Sequence, residues 1–221
     1  MQRITLPVAL TIVALGAACA NLERSRDVAD PNVSGKTLAE QVCSNCHGID
    51  GNSVSPNFPN LASQQRAYLT GQLEGFRKPG RSDPAGFEYM WGLSHHLTDK
   101  QIGELADYFA AQQLVSPAGG KPLQAAKGKQ IFEDGLPAQS IPSCKSCHGE
   151  QGQGMDGVAP RIAHQHADYV VKQLDVFQRT DQRPAGAAMK LVAHSLTKEN
   201  MEDVAQYLQG MTTSGPAGNL N

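Results

Sequence analysis

Apolar residues along this chain fall at intervals of three and four, in two matching sets. Tyr68, Leu69, Leu73 and Phe76 share one helical face, and Ile102, Leu105, Ala106 and Phe109 share another. Val170, Leu174 and Phe177 repeat the first stripe; Met201, Val204, Ala205 and Leu208 repeat the second. Gly35–Cys43 and Lys127–Phe132 read as short leading helices. Thr98 followed by Gln101 has the form of a capping box at a helix start. Between the stripes lie Gly- and Pro-rich stretches: Gly48–Pro59, Pro79–Gly86, Gly149–Pro160 and Thr180–Gly186. No run alternates as a sheet strand would. The expected fold is all-α, with loops long enough to need something that orders them.

The two sets are copies. Cys43-Ser44-Asn45-Cys46-His47-Gly48 matches Cys144-Lys145-Ser146-Cys147-His148-Gly149 at an offset of 101 positions. The same offset pairs Gly51 with Gly152, Pro59 with Pro160, Tyr68 with Tyr169 and Phe76 with Phe177. Further on the offset becomes 99, pairing Met90 with Met189, Leu97-Thr98 with Leu196-Thr197 and Tyr108 with Tyr207. An insertion at Glu133–Pro142 lengthens the approach to the second motif. The breaker cluster Ser116–Pro122 divides the copies. The expected organisation is a leader at 1–20, domains at 21–117 and 118–214, and a flexible tail at 215–221, with Met211 counted to the tail region.

The leader has Arg3 and a 13-residue apolar run from Leu6 to Ala18, then Ala18-Cys19-Ala20 as a small-x-small cleavage site. The run is shorter than the roughly 20 residues of a membrane-spanning helix. Cleavage would place the mature chain outside the cytoplasm and remove Cys19. Lipidation of Cys19, or an uncleaved anchor, either giving membrane association through the N-terminus, stays open as an alternative.

Composition narrows the function. Nineteen Lys and Arg against 21 Asp and Glu give a formal charge of −2, which argues against nucleic acid as a partner. Aromatics are only 5%, so two domains of this size have thin cores of their own and invite an apolar cofactor.

Four of the five cysteines lie in the two C-x-x-C-H motifs. That motif attaches c-type haem. Two thiols three positions apart on a helical turn each form a thioether to a porphyrin vinyl group, and the adjacent imidazole lies under the iron. Zinc, a disulfide or a dithiol redox pair are the competing uses. A four-cysteine zinc site would have to join pairs about 100 residues apart, and a thioredoxin-like pair needs a βαβ context that is absent. The expected cofactors are therefore two covalent haems, held through Cys43, Cys46 and His47, and through Cys144, Cys147 and His148.

Met90 and Met189 take matching places in the stretch before the last helix of each copy, expected as loop, and are the candidates for the sixth iron position. A thioether is a soft ligand that raises the reduction potential. His95, His96 and His194 are the alternative ligands. His164 and His166 have no counterparts in the first copy and read as surface residues; Met201 reads as core. A metal-bound imidazole usually donates its second N–H to a carbonyl or carboxylate. Pro59 and Pro160, each 12 residues after its histidine, lie in the turn expected to supply that acceptor.

These residues resemble a known family. Cys43–His47, Pro59-Asn60-Leu61, Met90 and Leu97–Phe109, repeated in the second copy, are similar to class I cytochrome c domains. Two in tandem behind a secretory leader resemble the dihaem cytochromes of the "c-four" family. The resemblance implies two such domains facing each other across a pseudo-twofold interface, with haem propionates near the contact. It also implies a periplasmic carrier, without an enzymatic activity of its own, passing electrons to a membrane oxidase or reductase from a quinol- or copper-protein donor. A cytochrome subunit of a larger dehydrogenase, such as a flavin-dependent sulfide dehydrogenase, and a dihaem enzyme stay open as other readings.

Overall fold

The computed structural model describes residues 22–78, 80–117 and 121–211. The leader, with Cys19, and the chain beyond Met211 lie outside the described residues. Among the described residues the chain is helical, with two isolated β-bridges and no strand.

In the first copy α1 (Gly35–Leu38) runs through a π-helical turn (Ala39–Cys43) into α2 (Ser44–His47). Then follow α3 (Arg66–Arg77), α4 (Pro84–Ser94) and α5 (Asp99–Ala110). The second copy repeats the order as α6 (Pro122–Asp134), α7 (Lys145–His148), α8 (Ala167–Arg179), α9 (Ala187–Ala193) and α10 (Lys198–Gln209). The last helix of each copy is the hub: α5 packs on α1 and α3, and α10 on α6 and α8. The capping box expected at Thr98 is present, and Thr197 with Asn200 forms its counterpart on α10.

The predicted stripes form the cores. Ile102, Leu105, Ala106 and Phe109 are buried with Val33, Leu38 and Leu69 in the first. Met201, Val204 and Leu208 are buried with Ile131, Phe132 and Leu174 in the second. A glycine sits at each crossing of first and last helix. A Cβ on Gly35 would stand 2.8 Å from the Leu105 backbone nitrogen, and one on Gly128 would strike the Asp203 carbonyl. These crossings admit no side chain at either point.

Three features of the fold depart from the sequence expectations. Met90 and Met189 lie on helices, α4 and α9, rather than in loops. Pro84 opens α4 at a position where its missing N–H costs nothing. The leading helix of the second copy is longer than expected, running from Pro122 to Asp134. Met211 is 6% exposed and packs into the second core instead of belonging to a tail. The Glu133–Pro142 insertion is an ordered knob, closed by paired backbone hydrogen bonds between Leu136 and Ile141, with Ile141 buried beneath it.

The long loops are ordered from within. The Gly51 carbonyl accepts from the amides of Leu61 and Ala62 at 2.7 and 3.1 Å. The Gly152 carbonyl accepts from Ile162 and Ala163 at 2.8 and 3.0 Å. Each loop is thereby pinched into a closed ring directly after its motif helix.

Candidate haem sites

Each motif helix is a single turn, with the first cysteine as its N-cap and the second cysteine and the histidine as its last two residues. Cys43 packs against the first core and Cys144 against the second. The two pairs therefore belong to separate cores and do not form one four-sulfur set. Cys43, Cys46, Cys144 and Cys147 are all free thiols. Burial pushes the Cys43 thiol up to about 12 and the Cys144 thiol up to about 11, so both stay neutral.

His47 is 7% exposed and His148 6%. His47 Nδ1 lies 2.9 Å from the Pro59 carbonyl oxygen, and His148 Nδ1 lies 2.7 Å from that of Pro160. A carbonyl only accepts, so each Nδ1 carries the proton and donates. That tautomer leaves the Nε2 lone pair available. Burial holds both imidazoles below their ordinary pKa, which the hydrogen bond to the proline carbonyl only partly offsets. Each site thus offers two thiols and an oriented imidazole with its Nε2 lone pair available, the donor set a covalent haem needs.

The helices bearing the methionines are tied to these sites. In the first copy, rings meet edge-on from His47 to Phe58 at 6.1 Å and from Phe58 to Tyr89, next to Met90, at 5.8 Å. In the second, Met189 is half-buried against the same core as Cys144. His95, His96 and His194 are exposed. His95 and His96 continue a surface row of rings from Phe87 through Trp91, with 4.6 Å between Trp91 and His95 and again between His95 and His96.

His164 and His166 are not surface residues as expected: they are 8% and 7% exposed. The reason is the interface between the copies, where His166 Nε2 is 2.8 Å from the Ser53 carbonyl. The same interface holds residues the sequence reading passed over. The guanidiniums of Arg81 and Arg183 stack over Phe76 and Phe177 at 4.2 and 4.5 Å. Both also reach Gln72 and Gln173, one from each copy. The pairing of Gln72 with Gln173 at the 101 offset was the signal that could have marked them.

The cytochrome c family model matches the chain twice, at residues 33–112 and 125–212. The chain belongs to the cytochrome c family. Its relatives place it with the c4-type cytochromes. It is 35% identical to cytochrome c4 of Azotobacter vinelandii over 77% of this chain and 84% of that protein. It is 37% identical to cytochrome c-552 of Acidithiobacillus ferridurans over 76% of this chain and 73% of that one. The crystal structure of reduced recombinant cytochrome c4 from Pseudomonas stutzeri superposes with a TM-score of 0.74 at 32% identity, covering 80% of this chain and 97% of that one. This cytochrome is accordingly a dihaem electron-transfer protein with two covalent c-type haems.

Proposed function

We propose that this cytochrome is a periplasmic carrier that is not itself an enzyme. It shuttles single electrons from a quinol- or copper-protein donor to a membrane oxidase or reductase. The observation that carries the reading is the sameness of the two sites. Each has a buried histidine whose Nδ1 is held by a proline carbonyl 12 residues on, a pair of free thiols, and a methionine on the equivalent helix. Two sites built alike suit one task done twice; an enzyme needs one of them open to substrate.

When bound, each haem supplies an iron that takes up and releases one electron. Cys43 and Cys46, and Cys144 and Cys147, hold it covalently, so it stays with the protein in an open compartment. His47 and Met90 would ligate one iron, and His148 and Met189 the other. The Pro59 and Pro160 carbonyls orient the two buried imidazoles. With a histidine and a methionine both bound, each haem would exchange electrons rather than take up external ligands.

A spectroelectrochemical titration of the mature protein, with spin state recorded throughout, tests this. The expected result is two one-electron steps at positive potential with both haems low-spin. A high-spin haem, or one at markedly negative potential, overturns the symmetric Met/His assignment.

A further inference from the structure

The carbonyls that orient the two histidines are fixed from across the interface. Pro59 C=O and Asn60 N–H belong to one planar trans peptide unit, so they point in opposite directions from a rigid plate. One edge of the plate meets His47. The other donates from Asn60 N to Gln165 Oε1 at 2.8 Å, while Gln165 Nε2 donates to the Asn60 carbonyl at 3.0 Å. In the second copy the Pro160–Arg161 plate meets His148 on one edge. On the other, Arg161 N donates to Gln64 Oε1 at 3.0 Å and Gln64 Nε2 donates to the Arg161 carbonyl at 3.0 Å. Gln64 and Gln165 are equivalent at the 101 offset, as are Asn60 and Arg161. The clamp is therefore reciprocal.

Both glutamines are nearly as buried as the histidines, at 7% and 8% exposed. Their neighbours brace the same loops. Gln65 Nε2 donates to Ala159 O at 3.2 Å, Arg161 Nε to Ser63 O at 3.0 Å, and Asn60 Nδ2 to His164 O at 2.9 Å. Each carboxamide grips the plate by its N–H and the next peptide unit by its C=O, so the backbone is held on both sides of the Asn60 or Arg161 Cα, which a single contact would not achieve.

We propose that each domain positions the proximal histidine of the other, with Gln64 acting on His148 through Pro160 and Gln165 acting on His47 through Pro59. This rests on the assignment of the two histidines as iron ligands. The more fully an Nδ1–H is donated, the more basic the imidazole becomes toward a metal. Loosening a clamp weakens that donation, favours the reduced iron and raises the potential. The effect crosses the interface: a change in one domain is read at the haem of the other.

The test uses the intact dihaem protein and the variants Gln64→Met, Gln165→Met and Gln64→Glu. Each haem is followed separately by NMR-monitored redox titration, together with the shifted Nδ1–H signal of its histidine. In Gln64→Met the redox equilibrium of the His148 haem should shift by about threefold or more toward reduction, about 28 mV for one electron, with the His47 haem unmoved. Gln165→Met should give the mirror image. Gln64→Glu keeps the acceptor for Arg161 N and should recover part of the shift. The unmoved haem in each variant reports that the fold is intact. A shift in the same domain's haem, an equal shift in both, or none in either overturns the proposal. Failure of the ligand assignment shows separately, as missing Nδ1–H signals in the unsubstituted protein.

Discussion

Asp83 holds Arg81 in a buried ion pair: its Oδ1 is 2.7 Å from the guanidinium Nε, and the carboxylate has no exposed surface. Asp83 stands at the start of α4, yet its side chain makes no cap there and is spent on the arginine. The second copy has Arg183 before the matching Pro184, hydrogen-bonded to the neutral Gln173, Gln72 and Tyr68. The two halves are therefore unlike in charge at this seam. Removing one partner of a buried pair leaves the other uncompensated, at a cost of about 3–5 kcal/mol. Asp83→Ala should lower stability by that order in denaturant unfolding, and Asp83→Ala combined with Arg81→Met should restore much of it. Equal losses in single and double variants would refute the pairing energy.

The helix crossings predict a ranked pair of substitutions. Gly128→Ala forces its methyl onto the Asp203 carbonyl and toward Tyr207, with backbone that cannot step aside. Gly35→Ala meets Glu104 Cβ at 2.5 Å and the Leu105 nitrogen at 2.8 Å. Overpacking of this kind costs about 1–3 kcal/mol. Both variants should unfold at lower denaturant, Gly128→Ala lower still. An unchanged midpoint for Gly128→Ala would mean that α6 and α10 separate freely.

The methionine assignment predicts separable effects. Met90→His should lower the potential of the first haem and leave the second, and Met189→His should do the reverse, since imidazole in place of thioether removes the preference for reduced iron. A redox titration of each variant checks this. No change in either would point to other distal ligands.

His164 gives a pH dependence. Burial, with the positive charge of Arg161 close by, holds its imidazole below the ordinary value of 6.5, and its Nδ1 is buried without a hydrogen-bond partner. Well above pH 6.5 neither the folded nor the unfolded chain carries this proton, so the contribution is flat. As pH falls below 6.5 the unfolded chain takes the proton first and stability declines. The residue has φ 59, a left-handed conformation that asparagine tolerates. His164→Asn should therefore fold and show a shallower loss of unfolding free energy between pH 7.5 and 5.5. An identical slope would assign the dependence elsewhere.

Much of this was legible beforehand, for identifiable reasons. The stripes Ile102–Phe109 and Met201–Leu208 announced their helices because each packs one face on a core. The proline carbonyls that meet His47 and His148 were legible because the 12-residue spacing recurs. The helicity of α4 was hidden by Gly86 and Gly92, which weaken local preference; Gly86 is there because a Cβ would stand 2.9 Å from the Phe76 ring. The burial of His164 and His166 was not legible at all. A repeat shows which residues are equivalent, but not which copy they touch, and both histidines meet the other half, His164 at Asn60 and His166 at Ser53.

The row of rings on α4 makes the halves optically unequal as well. Trp91 is the sole tryptophan of the chain, stacked with Phe87 at 5.6 Å, whereas its match on α9 is Lys190 and α9 carries no aromatic ring. Intrinsic tryptophan emission therefore reports on the first half alone. Comparing it with whole-molecule circular dichroism would reveal whether the halves melt together or one after the other, with no label attached.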